Sequence, residues 1–193
     1  MPQHLPQEWR GPLFTMADKA GIDRPPVGVS YGMGVDSTAL LIGLHDLGLR
    51  PDVVLTADTG GEKPVTYQFL FIFDEWLAGH GFNQVGSTWH RPPGYEDMGL
   101  PEHHILKCIV AVANDGKYGT LEKNCRVKKM VPSLAYGGRS CSEKYKHRPM
   151  HKWCKNHWQV ARAWTLARTA GSTTHVMSWS ALPARTSSPS LPP

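Results

Sequence analysis

The sequence predicts an α/β fold with a parallel sheet at its centre. Three features point there: an apolar β-branched run from Val27 to Tyr31, an apolar-periodic helical segment after a glycine-punctuated turn, and a second apolar run over Val53, Val54 and Leu55. Strands buried on both faces read as unbroken apolar runs, and two of them joined by a helix form a βαβ unit with a right-handed crossover. With 193 residues, of which 40% are hydrophobic and 19% charged, the chain can bury one such core and carry an appendage.

Residues 1–26 are Pro-rich and weakly patterned, and read as an irregular lead-in without chemistry. After the first strand, Val27 to Tyr31, a helix is expected from Ser37 to Leu47, with Leu40, Leu41, Leu44 and Leu47 on one face and Gly48 as its stop. Pro51 admits the second strand, Asp52 to Ala57, which Asp58, Thr59, Gly60 and Gly61 end. A second helix starts at Pro64, a favoured first helical position, and runs to Ala78 with Phe69, Ile72, Phe73, Trp76 and Leu77 as its buried face. Gly79 and Gly81 terminate it. Phe82 to His90 reads as a third strand, the following RPPGYED as a loop, and Leu100 to Ala113 as a third helix. Beyond Asn114, Pro132, Gly137, Gly138 and Pro149 limit regular elements to short pieces. Residues 156–193 hold no acid and no lysine, end in Ser and Pro, and read as an irregular or disordered tail.

The net charge is +5, and its distribution is uneven: residues 1–122 hold 8 Lys/Arg against 15 Asp/Glu, residues 123–155 hold 10 against 1, and residues 156–193 hold 3 against none. A dense basic block behind an acidic domain points to phosphate, a nucleic acid or another polyanionic substrate, the alternative being a solvated basic face. No apolar run is long enough to span a bilayer and the N-terminus lacks signal-peptide architecture, so no membrane partner is expected. The four cysteines form no Cys-x-x-Cys pair, which favours a reducing cytoplasm over a disulfide scaffold. A homo-oligomer is compatible with all of this.

The chemistry centres on Val27 to Leu41, VGVSYGMGVDSTALL. Small residues let backbone amides approach an anion, and the first turn of the following helix adds unpaired donors and the positive end of its dipole. Two familiar phosphate loops fail on spacing. A dinucleotide fingerprint needs a third glycine where Ser37 stands, and a Walker A loop needs Gly-Lys before Ser37 and Thr38, where Val35 and Asp36 stand. What remains, Ser30-x-Gly32-x-Gly34-x-Asp36-Ser37-Thr38, resembles the pyrophosphate loop of the adenine nucleotide alpha-hydrolase superfamily, especially its phosphoadenosine-phosphosulfate-reductase-like branch.

The resemblance covers about Val27 to Trp153 and extends to two further motifs in the same order. Asp58-Thr59-Gly60-x-Glu62-Lys63-Pro64-x-Thr66-Tyr67 is similar to a motif that lines the nucleotide and substrate pocket in relatives. Arg139 followed by Cys141-Ser142-x-x-Tyr145-Lys146-x-Arg148-Pro149 is similar to a late motif whose basic groups bind phosphate or sulfate. It implies a Rossmann-like, doubly wound parallel sheet of about five strands flanked by helices, a nucleotide-binding domain over residues 27–155, and ATP or a related adenine nucleotide with Mg²⁺. Ser30, Tyr31, Gly32, Met33, Gly34, Asp36, Ser37, Thr38, Asp58, Thr59, Gly60, Glu62 and Lys63 are then nucleotide-binding candidates. Arg139, Cys141, Lys144, Lys146 and Arg148 are candidates for phosphate or sulfate. Asp36 and Lys146 are the candidate catalytic residues; since a carboxylate does not bind phosphate directly, Asp36 either fixes the loop through hydrogen bonds or helps hold Mg²⁺, for which it is the candidate ligand. The hydroxyls of Ser30, Ser37 and Thr38 are expected to add donors to the phosphate.

Cys141 sits among cations, a setting that lowers a thiol's pKa, the alternative being a small packing residue. Cys125, Cys141 and Cys154 with His147 and His151 match no zinc or iron–sulfur spacing, and Glu102, His103 and His104 do not make His-Glu-x-x-His, so no tightly bound transition metal is expected. Sulfonucleotide reductases carry their catalytic cysteine in a C-terminal motif, and no cysteine follows Cys154 here. The expected activity is therefore adenylyl transfer with pyrophosphate release, in sulfur transfer or nucleic-acid modification. A sulfonucleotide reductase, with Cys154 substituting or its ending replaced by truncation or a frame change, is one alternative. A non-catalytic nucleotide- or nucleic-acid-binding module is the other.

Overall fold

Two apolar runs, Val53–Asp58 and Ile109–Ala113, pair side by side in the main sheet of this computed structural model, which describes residues 27–114, 119–131, 140–158, 160–165 and 176–181. The lead-in of residues 1–26 and the candidate Arg139 lie outside the described residues. In chain order the elements are β1 (Val27–Ser30), α1 (Val35–Asp46), β2 (Val53–Asp58), α2 (Pro64–Gly79), β3 (Ser87–His90), β4 (His103–Leu106) and β5 (Ile109–Ala113). There follow α3 (Leu121–Lys128), the short α4 (Ser140–Ser142), a π-helical segment Glu143–His147, α5 (Arg148–Trp158), β6 (Val160–Thr165) and β7 (Val176–Ala181).

β1, β2 and β5 are parallel, with Gly28 opposite Val53 and Val54 opposite Ile109. The fold is thus α/β around a three-stranded parallel core. The sheet order is β5-β2-β1-β7-β6, and β7 and β6 run antiparallel, so the sheet is mixed rather than wholly parallel. These two strands fall in the stretch expected to be irregular. Neither contains Gly or Pro, both contain Val and Trp, and pairing covers the edge that β1 would otherwise leave open.

Side chains of β2 divide the core. Val54 joins Val29, Leu41, Leu70, Phe73, Leu77 and Ile109 on the face covered by α1 and α2. Val53, Leu55 and Ala57 join Val110, Met150 and Cys154 on the face covered by α5. This alternation is the period-2 signature of a strand buried on both sides.

Three further expectations change. The helix expected over Leu100 to Ala113 is instead β4 and β5, with β4 pairing antiparallel to β3 in a separate two-stranded sheet. The cause is tertiary: Asp74, fully buried on α2, accepts from the backbone amides of Lys107 (2.6 Å), Cys108 (2.9 Å) and Ile109 (2.9 Å), fixing a corner where a helix would have continued. The third strand shortens to Ser87–His90. The buried face of α2 is Tyr67, Leu70, Phe73, Asp74 and Leu77, while Phe69 and Ile72 stay exposed. Tyr67 and Asp74 can be buried because their polar atoms find partners, a condition that apolar periodicity does not reveal. No described helix is long and apolar enough to cross a membrane.

Candidate functional site

The carboxyl ends of β1 and β2 lie side by side, and each opens into a glycine loop. At β1, Tyr31 N donates to Leu55 O (2.8 Å) and Thr56 Oγ1 donates to Tyr31 O (3.0 Å), so the strand's exit is pinned to its neighbour. Tyr31 is buried and stacked on Phe73 at 5.1 Å, and burial pushes its phenol up to about 12. Met33, also in the core, takes the left-handed region at φ +59°, a sparsely populated conformation for a side-chain-bearing residue. Either residue can reach a nucleotide only through its backbone.

Ser37 and Thr38 hold the loop from below. Gly32 N donates to Ser37 Oγ (3.2 Å), Ser37 Oγ donates to Gly34 O (3.0 Å), and Thr38 Oγ1 donates to the same carbonyl (2.9 Å). Ser30 Oγ turns to Met150 Sδ at 3.4 Å. The three hydroxyls expected on a phosphate are therefore engaged with the protein, which leaves anion binding to backbone amides. The helical ladder of α1 begins with Thr38 N donating to Gly34 O (3.1 Å), and no side chain caps its start. The loop itself is exposed at Gly32 and Gly34. A Cβ added at Gly34 would meet nothing within 4 Å, and one at Gly32 only Ser37 Oγ at 3.9 Å. Neither glycine sits at positive φ. The fold does not need glycine here for its own packing, so the absent side chains leave room outside the protein, where amides and the helix dipole favour an anion.

At β2 the second loop is closed by contrast. Gly60, at φ +63°, is roofed by Thr120, whose Cγ2 would lie 2.5 Å from an added Cβ. Leu121 N donates to Thr59 O (2.8 Å), seating the start of α3 on this turn. Asp58 Oδ1 accepts from Gly60 N (2.9 Å) and Tyr67 Oη (2.8 Å). Burial raises the Asp58 pKa; Gly60, Tyr67 and the nearby Trp89 partly oppose it, and the charge of Glu62 adds to it. The Trp89 Nε1–H is itself buried without reaching hydrogen-bond geometry to an acceptor. Beside Asp58, Tyr67 is driven well above the usual phenol range, chiefly by burial. Asp58 thus shapes the turn rather than presenting an open carboxylate.

The basic segment meets this loop at one point. Lys146 Nζ lies 3.8 Å from Glu62 Oε1, which also accepts from Thr59 Oγ1 (3.3 Å). Tyr95, from the loop after β3, donates to Glu62 O (2.8 Å). Lys63 is exposed at the N-cap of α2. Arg148 is directed elsewhere, onto Glu143 at 3.3 Å, and the Lys144 carbonyl accepts from Asn114 Nδ2 (3.4 Å). Cys141 is half-buried. The structure therefore joins Glu62 to Lys146 and Ser30 to Met150 and sends Arg148 away. Tyr95 and Trp89 were not signalled by the sequence, whereas the Thr120 N-cap, accepting from Lys123 N (3.1 Å), begins a legible Thr-x-Glu-Lys helix start.

Asp36 is an exposed carboxylate on the first turn of α1, at the rim of the open loop. Among the described residues no group of three or more His, Cys, Asp or Glu is placed to hold a metal ion by itself. One exposed carboxylate beside the open glycine turn is a ligand of the kind Mg²⁺ takes, since that ion keeps several waters and shares phosphate oxygens.

No family model matches the chain, and no solved structure matches it significantly. Among curated proteins, cytochrome P450 monooxygenase PUL2 of Kluyveromyces lactis is 39% identical over 54 residues, 28% of this chain and 10% of that protein. The chain therefore matches only about a tenth of that relative's length.

Proposed function

We propose that the chain binds ATP or a related adenine nucleotide on the open β1 loop and transfers its adenylyl group with release of pyrophosphate, in the manner of the phosphoadenosine-phosphosulfate-reductase-like family it resembles. The observation that carries this reading is the exposed Gly32–Gly34 turn, where packing leaves the glycines unexplained and a phosphate explains them. The three parallel strands supply the part of a doubly wound sheet that the reading needs. The amides of the loop other than Gly32, whose N–H donates to Ser37 Oγ, would hold phosphate oxygens, with Ser37 keeping the turn in shape through Gly32 and Gly34. Asp36 would hold Mg²⁺, which when bound neutralises charge on the departing pyrophosphate. Lys146, at the neighbouring loop, would leave Glu62 to meet a phosphate oxygen, and Lys63 would stand beside it.

The sulfonucleotide-reductase alternative needs a nucleophilic thiol. Cys154 is fully buried and burial pushes its pKa up to about 12, which argues against it. Calorimetric binding of ATP, phosphoadenosine phosphosulfate and AMP, each with and without Mg²⁺, tests the reading. We expect ATP to bind more tightly with Mg²⁺ and at least about tenfold more weakly to Asp36→Ala. Preference for phosphoadenosine phosphosulfate without any Mg²⁺ effect would replace adenylyl transfer by sulfonucleotide chemistry, and no binding of any of the three would sink the nucleotide site.

A further inference from the structure

The C-terminal ends of α1 and α2 bring two imidazoles together, away from the open loop. His45 lies in the last turn of α1, about 15 Å along the helix axis from Val35, and His80 is the C-cap of α2. Their ring centroids are 4.9 Å apart at 82°. Trp76, one turn before His80, stacks on it at 4.0 Å and meets His45 edge-on at 5.6 Å. Arg50 ties the two backbones together: its Nη1 donates to His45 O (3.4 Å) and its Nη2 to His80 O (3.1 Å), with the guanidinium 4.9 Å over the Phe82 ring. The fold therefore holds the pair in place.

The hydrogen bonds decide what these rings offer. His45 Nδ1 lies 3.1 Å from Asp46 Oδ1, and His80 Nδ1 lies 2.7 Å from Trp76 O. Carboxylate and carbonyl oxygens only accept, so both Nδ1 atoms carry the proton and each neutral ring keeps its lone pair on Nε2. Among the described residues no protein donor reaches either Nε2. An imidazole whose other N–H is anchored on a carboxylate or a backbone carbonyl has the tautomer and orientation of a metal ligand already set. The surroundings then select the occupant. Both rings stand at helix C-termini, where unpaired carbonyls favour a cation over an anion. Nitrogen donors suit Zn²⁺ and its borderline neighbours, whereas Mg²⁺ and Ca²⁺ take oxygen. Among the described residues no third His, Cys, Asp or Glu completes a closed set, so water or an incoming ligand fills the remaining positions, as at an open zinc site.

We infer that His45 and His80 bind a divalent borderline transition ion through their Nε2 atoms, clipping the ends of α1 and α2 together, with Asp46 as a positioning residue for His45. The site stands on other residues than the nucleotide reading and does not depend on it. Zn²⁺ titration of the chelator-washed full chain, followed by long-range ¹H–¹⁵N NMR of its 10 histidines, tests it. The Nε2 signals of His45 and His80 should shift together while both Nδ1 atoms stay protonated, and Mg²⁺ at the same concentration should move neither. His45→Gln removes one arm of the chelate, so the His80 shift should require about 100-fold more Zn²⁺. Asp46→Asn should raise the requirement about tenfold with both rings still responding. Circular dichroism checks each fold, and if His45→Gln unfolds, Asp46→Asn, on an exposed residue, decides. An unchanged His80 response in folded His45→Gln would overturn the inference, as would a shift confined to one ring, coordination at Nδ1, or an equal response to Mg²⁺. A paired Zn²⁺ response in a chain that binds no ATP would overturn the nucleotide reading and uphold this site.

Discussion

Gly34 and Gly60 occupy loops at the carboxyl ends of neighbouring parallel strands, and they are glycine for opposite reasons. Around Gly60 the protein fills the space itself: φ is +63° and Thr120 stands where a side chain would grow. Around Gly34 the backbone is extended at φ −102° and nothing approaches within 4 Å. One glycine answers to the interior and the other to something outside the chain. The same contrast separates the two carboxylates, since Asp58 is buried and bonded to its own turn while Asp36 stands at the surface.

The largest effect separating the loops should come from Gly60→Ala. Left-handed strain and the clash with Thr120 together should lower unfolding free energy by about 3 kcal/mol in denaturant titration, whereas Gly34→Ala should change it by less than about 1 kcal/mol while abolishing nucleotide binding. Equal destabilisation by both would erase the distinction. A smaller effect should follow Tyr67→Phe, which removes the phenol that holds Asp58; we expect a loss of about 1–2 kcal/mol, again by denaturant titration. Smaller still is the pH effect of Asp58. Because its folded pKa is raised, the fold favours the neutral carboxyl. The stabilisation is fully present below the ordinary carboxylate range and is lost as pH rises through the raised value. Melting temperature should therefore fall less between pH 4 and neutrality in Asp58→Asn than in the parent chain. No change in stability is needed for the last test: iodoacetamide under native conditions should label the half-buried Cys125 and Cys141 before Cys108 and Cys154, whose thiols burial pushes up to about 11 and about 12. Early labelling of Cys154, read by mass spectrometry, would return it to consideration as a nucleophile.

The first βαβ unit was legible because its signals are local: a β-branched run, glycine punctuation, Leu periodicity and Pro64 at a helix start all fall within a few residues of the elements they define. The corner between β4 and β5 was not, since the partner that breaks the apparent helix is Asp74, 33 residues earlier than Lys107. The tail strands were not legible because β7 pairs with β1, and β6 with β7, along an edge that no window of sequence displays. At the site, the open loop could be read from spacing, whereas the ion pair of Glu62 with Lys146, which joins two motifs far apart in the chain, could not. The direction of the hydroxyls could not be read. Ser30, Ser37 and Thr38 have the chemistry to meet a phosphate, and only the folded backbone shows that Met150 and the Gly34 carbonyl take them first.

The carboxylate of Asp74 also bears on where β5 enters the main sheet. After β3 and β4 the polypeptide has left the main sheet, and it re-enters beside β2 through the three amides that this one side chain gathers. A side chain of α2 thus fixes the point at which a strand far along the chain enters the sheet. β5 is thus tied to α2 by hydrogen bonds as well as to β2 by its ladder, so losing the Asp74 carboxylate would take the acceptor from three backbone amides at once.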